Sequence, residues 1–214
     1  MRGLVWDGFG VHMPCRLLLL MIARRTLWLR VWAWRWFCVG VLGLVAAPAW
    51  AAGSYALTGK VVHVADGDTL TLQVQGKAAH RVRLASIDAP ETGHGRKQPG
   101  QPYGQASRRS LATLVAGRTV ALHCYEQDHY GRDVCDVPLA DGRTANQVQV
   151  ATGMAWANQQ GNGKYLRDRR LLDLEREART QKLGLWQDKD PLPPWDWRWK
   201  CWKALESGGT SPIC

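Results

Sequence analysis

The stretch Gly59-Lys60-Val61-Val62-His63-Val64-Ala65-Asp66-Gly67-Asp68-Thr69-Leu70-Thr71-Leu72-Gln73-Val74 decides how the chain is read. Val61, Val62 and Val64 precede Asp66-Gly67, a dipeptide suited to a tight turn, and apolar and polar residues alternate from Thr69 onward. Residues 59–65 and 69–74 are therefore expected as the two strands of a hairpin. A second turn near Gly76 and Lys77 leads to a third strand over residues 81–87. Its alternation puts Val82, Leu84 and Ser86 on one face and Arg83, Ala85 and Ile87 on the other.

Working outward, residues 92–103 are rich in Gly, Pro and Gln and carry His94, Arg96 and Lys97, so they read as a mobile loop. Ala106, Leu111, Leu114 and Val115 recur at helical spacing over residues 105–115. Strands are expected at 119–125 and 133–139, joined by a turn over 128–131. A short helix over 145–152 ends at Gly153, and a longer one over 164–181, with Leu171, Leu172, Leu174 and Ala178 inward, stops at Gly184-Leu185-Trp186. Three strands, a helix, two strands and further helices is the order of an α+β chain built on a five-stranded OB-fold barrel with about three helices.

The 214 residues suffice for one domain with appendages. The first fifty differ sharply from the rest, holding six of the twelve tryptophans. Arg24, Arg25, Arg30 and Arg35 form a basic region, residues 37–47 an apolar run, and Pro48 leads to Ala49-Trp50-Ala51. Residues 1–51 are thus expected to be a signal peptide cleaved before Ala52, with translation starting at Met1, Met13 or Met21. The apolar run is too short for the roughly 20 residues that span a bilayer. An exported chain with no stable membrane association after cleavage is expected, with residues 52–187 as its folded domain and 188–214 as a Pro/Trp-rich tail. After cleavage 22 basic and 17 acidic residues remain, a surplus of five that suits a polyanionic partner without specifying one.

Four cysteines lie beyond Ala52, and an even number in an exported chain suggests disulfides. A turn over 128–131 sets Cys124 opposite Cys135, within bridging range, which leaves Cys201 for Cys214. Four free thiols is the alternative. Zinc is disfavoured, because neither pair has CxxC spacing. In the tail, Trp195, Trp197 and Trp199 alternate beside Arg198 and Lys200. They suit either a stacking platform for single strands or, as the simpler reading, a segment packed on the barrel and pinned by Cys201.

The chemistry-bearing residues come in order: Asp66-Gly67-Asp68-Thr69, then Arg83-Leu84-Ala85-Ser86-Ile87-Asp88-Ala89-Pro90-Glu91, then Asp128-His129-Tyr130-Gly131-Arg132, and finally Gly184-Leu185-Trp186. Two aspartates supply hard oxygens for a cation, a glutamate can act as a base, and two arginines can clamp phosphate. Metal-assisted attack on a phosphodiester needs those parts, because its transition state gathers negative charge.

Over residues 58–187 the chain resembles the staphylococcal nuclease (thermonuclease) family. The resemblance implies an OB barrel with helices and a Ca²⁺-dependent phosphodiesterase acting on DNA and RNA. It implies that Asp68, Asp88 and the carbonyl of Ala89 bind the calcium, that Glu91 activates water, and that Arg83 and Arg132 hold the phosphate. His129 and Tyr130 are expected at the substrate. His129 stands where the family often has a basic residue. Ala157-Asn158-Gln159-Gln160-Gly161 follows Trp156 where the family commonly supplies tyrosines, so Trp156 or Tyr165 is expected to take over base contact. The expected activity is that of a monomeric exported endonuclease with little sequence specificity. The alternative is a non-catalytic OB-fold module that binds nucleic acid.

Overall fold

A computed structural model describes residues 53–214, so the segment expected to direct export lies outside the described residues. Strands β1 (Tyr55–Val64), β2 (Thr69–Gln73) and β3 (Ala79–Leu84) form a meander. β4 (Ile87–Asp88) leaves it, α1 (Gly104–Val115) crosses, and β5 (Thr119–Gln127) and β6 (Asp133–Asp136) complete the set. The barrel closes in the order β1-β2-β3-β6-β5. Closure depends on one parallel pairing, β3 with β6, in which Val82 faces Asp133 and Leu84 faces Cys135. β1 serves two partners, pairing with β5 from Tyr55↔Cys124 to Lys60↔Thr119 and with β2 from Lys60↔Gln73 to Val64↔Leu70, across a bulge between Val61 and His63. The extra residue bends the strand as a closed barrel requires.

The alternation read from the sequence fills the interior. Val61, Leu70, Leu72, Val82, Leu84 and Leu122 are buried, and Leu111 and Val115 of α1 close one end of their cluster. Helices α2 (Ala145–Ala151) and α3 (Arg170–Thr180) follow, with the two-residue β7 (Trp156–Ala157) between them pairing with β4. α2 begins with a capping box in which Thr144 accepts from the Gln147 N–H while the Gln147 side chain accepts from the Thr144 N–H.

Some expected boundaries move. The third strand does not run on to Ile87: Ser86 adopts a positive φ of 66°, and the chain turns there. Asn146 holds that turn by donating to the Ala85 carbonyl (2.9 Å) and accepting from the Val137 N–H. The long helix starts at Arg170 rather than 164. Asp168 accepts the Arg170 N–H, and the Arg167 N–H is taken by the Ser86 hydroxyl (2.8 Å), which holds the preceding residues in a non-helical path. β6 ends at Asp136 rather than 139, just ahead of Pro138, which has no N–H for a ladder.

Cys124 pairs with Cys135 in a disulfide, but not for the whole reason offered by the sequence. The turn is one residue longer than expected, since the Asp128 N–H reaches the Arg132 carbonyl. A bulge between Cys124 and Glu126 takes up the slip and returns the two cysteines to opposite positions. Cys201 is bonded to Cys214.

The tail packs on the folded domain, the simpler of its two readings, and does so largely as helix. From Pro194 it is helical, through Pro194–Trp197, a wide π-type turn over Arg198–Trp202, and Lys203–Glu206. Proline suits the first helical turn, where its missing N–H costs nothing. Residues Ala52–Cys214 form one compact unit, so the tail is part of the folded body.

Candidate functional site

The hairpin turn and the exit from β3 meet at the floor of a cleft of about 600 Å³. Asp68, just before β2, and Asp88, in β4, are both buried, and the Arg83 guanidinium joins them, at 2.6 Å to Asp68 and 2.8 Å to Asp88. Arg83 also donates to the Ile87 carbonyl (3.2 Å). These bonds use three of its five N–H donors. The second Asp68 oxygen accepts from the Ala89 N–H (2.8 Å), and Thr69 donates to the first.

Two glycines make this convergence possible by close approach. A Cβ on Gly67 would stand 1.7 Å from the Ser107 hydroxyl of α1, and one on Gly104 would stand 2.1 Å from the Glu91 carbonyl. Only bare backbone lets α1 press against both carboxylate-bearing segments. The buried Gln149 amide ties the arrangement together by donating to the Gly67 carbonyl (2.8 Å).

Electrostatics in the cleft are unbalanced. Burial alone would raise the Asp68 carboxyl, but the Arg83 charge, the Ala89 N–H and the Thr69 hydroxyl hold it below its ordinary value. Asp66 is pushed well above the usual carboxylate range, first by burial and then by the charge of Asp68. Glu91 rises to about 7 through burial, with Asp68 and Asp88 adding to the rise and Arg198 opposing it. The Asp68 and Asp88 charges keep Arg83 protonated despite its own burial.

The raised Glu91 carboxyl has a consequence for stability. In the folded protein it takes up a proton at a pH where the unfolded chain, with an ordinary value of 4.5, is already ionised. Its contribution is fully present below 4.5 and is lost as pH rises through about 7. In chelator, unfolding free energy is expected to fall over that window by about 3 kcal/mol on account of Glu91. Denaturant titrations of the native protein and Glu91→Gln at several pH values check this, and the variant is expected to lack that part of the slope.

The other expected site residues are distributed unequally. Arg132, His129 and Tyr130 line the same cleft. Arg132 is held there by Asp128 (2.7 Å), with its guanidinium 5.3 Å from the Tyr130 ring centroid. Tyr130 is 66% exposed and its ring lies against that of His129. Trp156 is not available to a base: it is buried edge-on against Trp186 and does not reach the cleft. Tyr165, 47% exposed with the Lys164 ammonium over its ring, does line it.

The model of the family described as staphylococcal nuclease homologue matches residues 81–188, half of the chain. The chain belongs to the staphylococcal nuclease family. Among relatives, a protein named micrococcal nuclease from Shigella flexneri is 39% identical over 174 residues, covering 78% of this chain and 92% of the relative. An uncharacterized endonuclease from Escherichia coli O157:H7 is 44% identical over 140 residues, covering 65% of this chain and 84% of its own. An uncharacterized endonuclease from Haemophilus influenzae is 37% identical over 141 residues, 66% and 72% of the two chains.

Two residues at the centre of this staphylococcal nuclease family site were not singled out from the sequence. Asp66 accepts the Asp68 N–H (3.0 Å) and lines the cleft, but in Asp66-Gly67 it reads as a turn former. Arg198 comes from the tail and bonds both oxygens of Asp88 (2.7 and 3.2 Å) and one of Glu91 (2.5 Å). The four-residue spacing of Trp197 to Cys201 and of Arg198 to Trp202 was its only helical signal, masked by the prolines before it.

Among the described residues no three His, Cys, Asp or Glu side chains are gathered into a ready-made metal cage. The donor set nonetheless suits a hard divalent cation. Three carboxylates, Asp66, Asp68 and Glu91, line the cleft with the guanidinium groups of Arg83 and Arg198, which also bond the buried Asp88; burial first, and the neighbouring carboxylates after it, raise Asp66 and Glu91. Oxygen-only donors are what calcium prefers.

Proposed function

We propose that this protein is an exported, calcium-dependent nuclease that hydrolyses phosphodiester bonds of DNA and RNA with little sequence specificity. One observation carries the reading: Asp68, Arg83 and Glu91 line one cleft together with Arg132 and Tyr130, and the buried Asp88 is bonded to Arg83 and Arg198 of the same cleft. The names of the relatives, micrococcal nuclease and endonuclease, point the same way.

Asp68, Asp88 and the Ala89 carbonyl would hold the calcium, which when bound supplies positive charge at the phosphate. Arg83, with two N–H donors left over, can hold a phosphate oxygen while keeping its grip on the aspartates. Arg132 offers a second planar guanidinium from the β5–β6 turn, steadied by Asp128. Glu91 takes a proton from the attacking water, and a carboxyl near 7 accepts one more readily than an ordinary glutamate does. Tyr130 presents an exposed ring on which any base can stack, so selection among bases is weak. The two disulfides suit an oxidising compartment, which favours export through the N-terminal segment.

Single-stranded DNA and RNA incubated with the protein in calcium are expected to be cleaved, and an excess of chelator to stop cleavage in a way that added calcium restores. Binding that survives chelation with no cleavage product in calcium at any pH from neutral to alkaline would instead support a non-catalytic binding module.

A further inference from the structure

The tail docks by contacts that owe nothing to Arg198. The Trp197 and Trp202 indoles both donate to the Pro99 carbonyl, at 3.2 and 2.8 Å. Gln98 donates to Glu206 (2.7 Å) and Gln101 to the Leu192 carbonyl (2.5 Å), while Trp197 and Cys201 are buried. His94 lies edge-on to Trp202 with ring centroids 6.1 Å apart. The loop over residues 92–103, expected to be mobile, is thus clasped by the tail, and its reach over the cleft is fixed by it. Cys201–Cys214 closes the end of the segment.

One turn of this anchored helix points Arg198 at the carboxylates. Its guanidinium makes a paired contact with Asp88 and adds a bond to Glu91, and its side chain is 33% exposed against 1% and 12% for theirs. Buried charge needs a counter-charge, since leaving a carboxylate unpaired costs several kcal/mol. Arg83 already serves Asp68 and one oxygen of Asp88, so Arg198 supplies the second positive charge, on the face of Asp88 that Arg83 leaves open. A divalent cation seeking Asp88 oxygen meets a guanidinium bound there, and like charge repels it.

We propose that Arg198 is a built-in competitor for the cation: the tail's guanidinium holds Asp88 and Glu91 in the cation-free protein, withdraws from Asp88 when calcium binds, and so sets the calcium affinity of the site. The inference rests on the calcium-dependent reading above. It makes the C-terminal segment a regulator of the barrel it covers. Because the tail is anchored by Trp197 and Trp202 on Pro99 and by the bonds of Gln98 and Gln101, withdrawal of one side chain suffices and the segment stays docked.

Calcium titration by calorimetry of the native protein, Arg198→Gln and Arg198→Lys, with no nucleic acid present, tests it. Arg198→Gln is expected to bind calcium at least tenfold more tightly than the native protein. Arg198→Lys keeps the charge but loses the paired geometry and is expected to fall between them. Thermal unfolding and amide exchange over residues 191–206 report that the tail remains folded, and the Lys variant carries the test should the Gln variant fail to fold. Equal or weaker calcium binding by the variants, with measurable binding by the native protein, would overturn the inference and leave the calcium reading standing. Absence of calcium binding in all three proteins would overturn both.

Discussion

An Arg83→Leu variant is expected to be about 3–5 kcal/mol less stable than the native protein in chelator, the range found when one partner of a buried ion pair is removed. Arg83 is the shared counter-ion of Asp68 and Asp88, both buried beside it. Its removal leaves Asp68 with the Ala89 N–H and the Thr69 hydroxyl as donors, and Asp88 with Arg198. The deficit is expected to shrink as pH falls and Asp68, held below its ordinary value partly by the Arg83 charge, takes up a proton, and to shrink in calcium, which restores positive charge. Denaturant titrations with calcium and with chelator read both effects. Arg83→Lys is expected to recover part of the stability but little activity, because an ammonium cannot bridge two aspartates and still offer paired donors to phosphate. A loss of less than about 1 kcal/mol for Arg83→Leu would contradict the role of Arg83 as the shared counter-ion of the two aspartates.

Glu91→Gln is expected to do the opposite. Replacing a positioned base lowers turnover by about 10²–10⁴-fold. Affinity for a single-stranded oligonucleotide is expected to change little, since Arg83, Arg132 and Tyr130 remain. At neutral pH the variant is expected to be at least as stable as the native protein, because it removes a carboxylate that burial and two aspartates press toward protonation. Single-turnover kinetics beside equilibrium binding separates the two terms. Equal losses in binding and turnover would assign Glu91 to substrate contact or to holding Arg198 rather than to proton transfer.

The two variants draw on different parts of what the sequence makes legible. The strands were readable because each alternates with a single buried face, as in Leu70-Thr71-Leu72, and the barrel order followed from their succession. The turn at Ser86 was not, because the apolar alternation continues through Ala85 and Ile87 and the groups that fix the bend, Asn146, Asn158 and Arg167, are distant in the chain. Asp68, Asp88 and Glu91 were visible because each stands beside a turn or an X-Pro step, and Arg83 because it lies on the strand that leads to them. Trp156 misled because its position in the chain says nothing of its neighbour Trp186, thirty residues on, which takes the space a base would need.

Arg198 marks the remaining gap. Its role depends on contacts across more than a hundred residues, from the tail to Asp88 and Glu91, and on indole bonds to one carbonyl at Pro99. Periodicity within the tail could at most have suggested a helix. The loop over 92–103 is a loop as its Gly and Pro content implies, but that content says nothing of the bonds that Trp197 and Trp202 make to Pro99 within it.

The location of the cation tests the account most directly. Crystals of the protein soaked in calcium, with terbium as a stronger anomalous scatterer in a parallel soak, are expected to show a single strong peak within coordination distance of Asp68 and Asp88, with Arg198 moved off the Asp88 carboxylate. A peak elsewhere, or none at saturating calcium with Arg83 and Arg198 still bonded to Asp88, would contradict it.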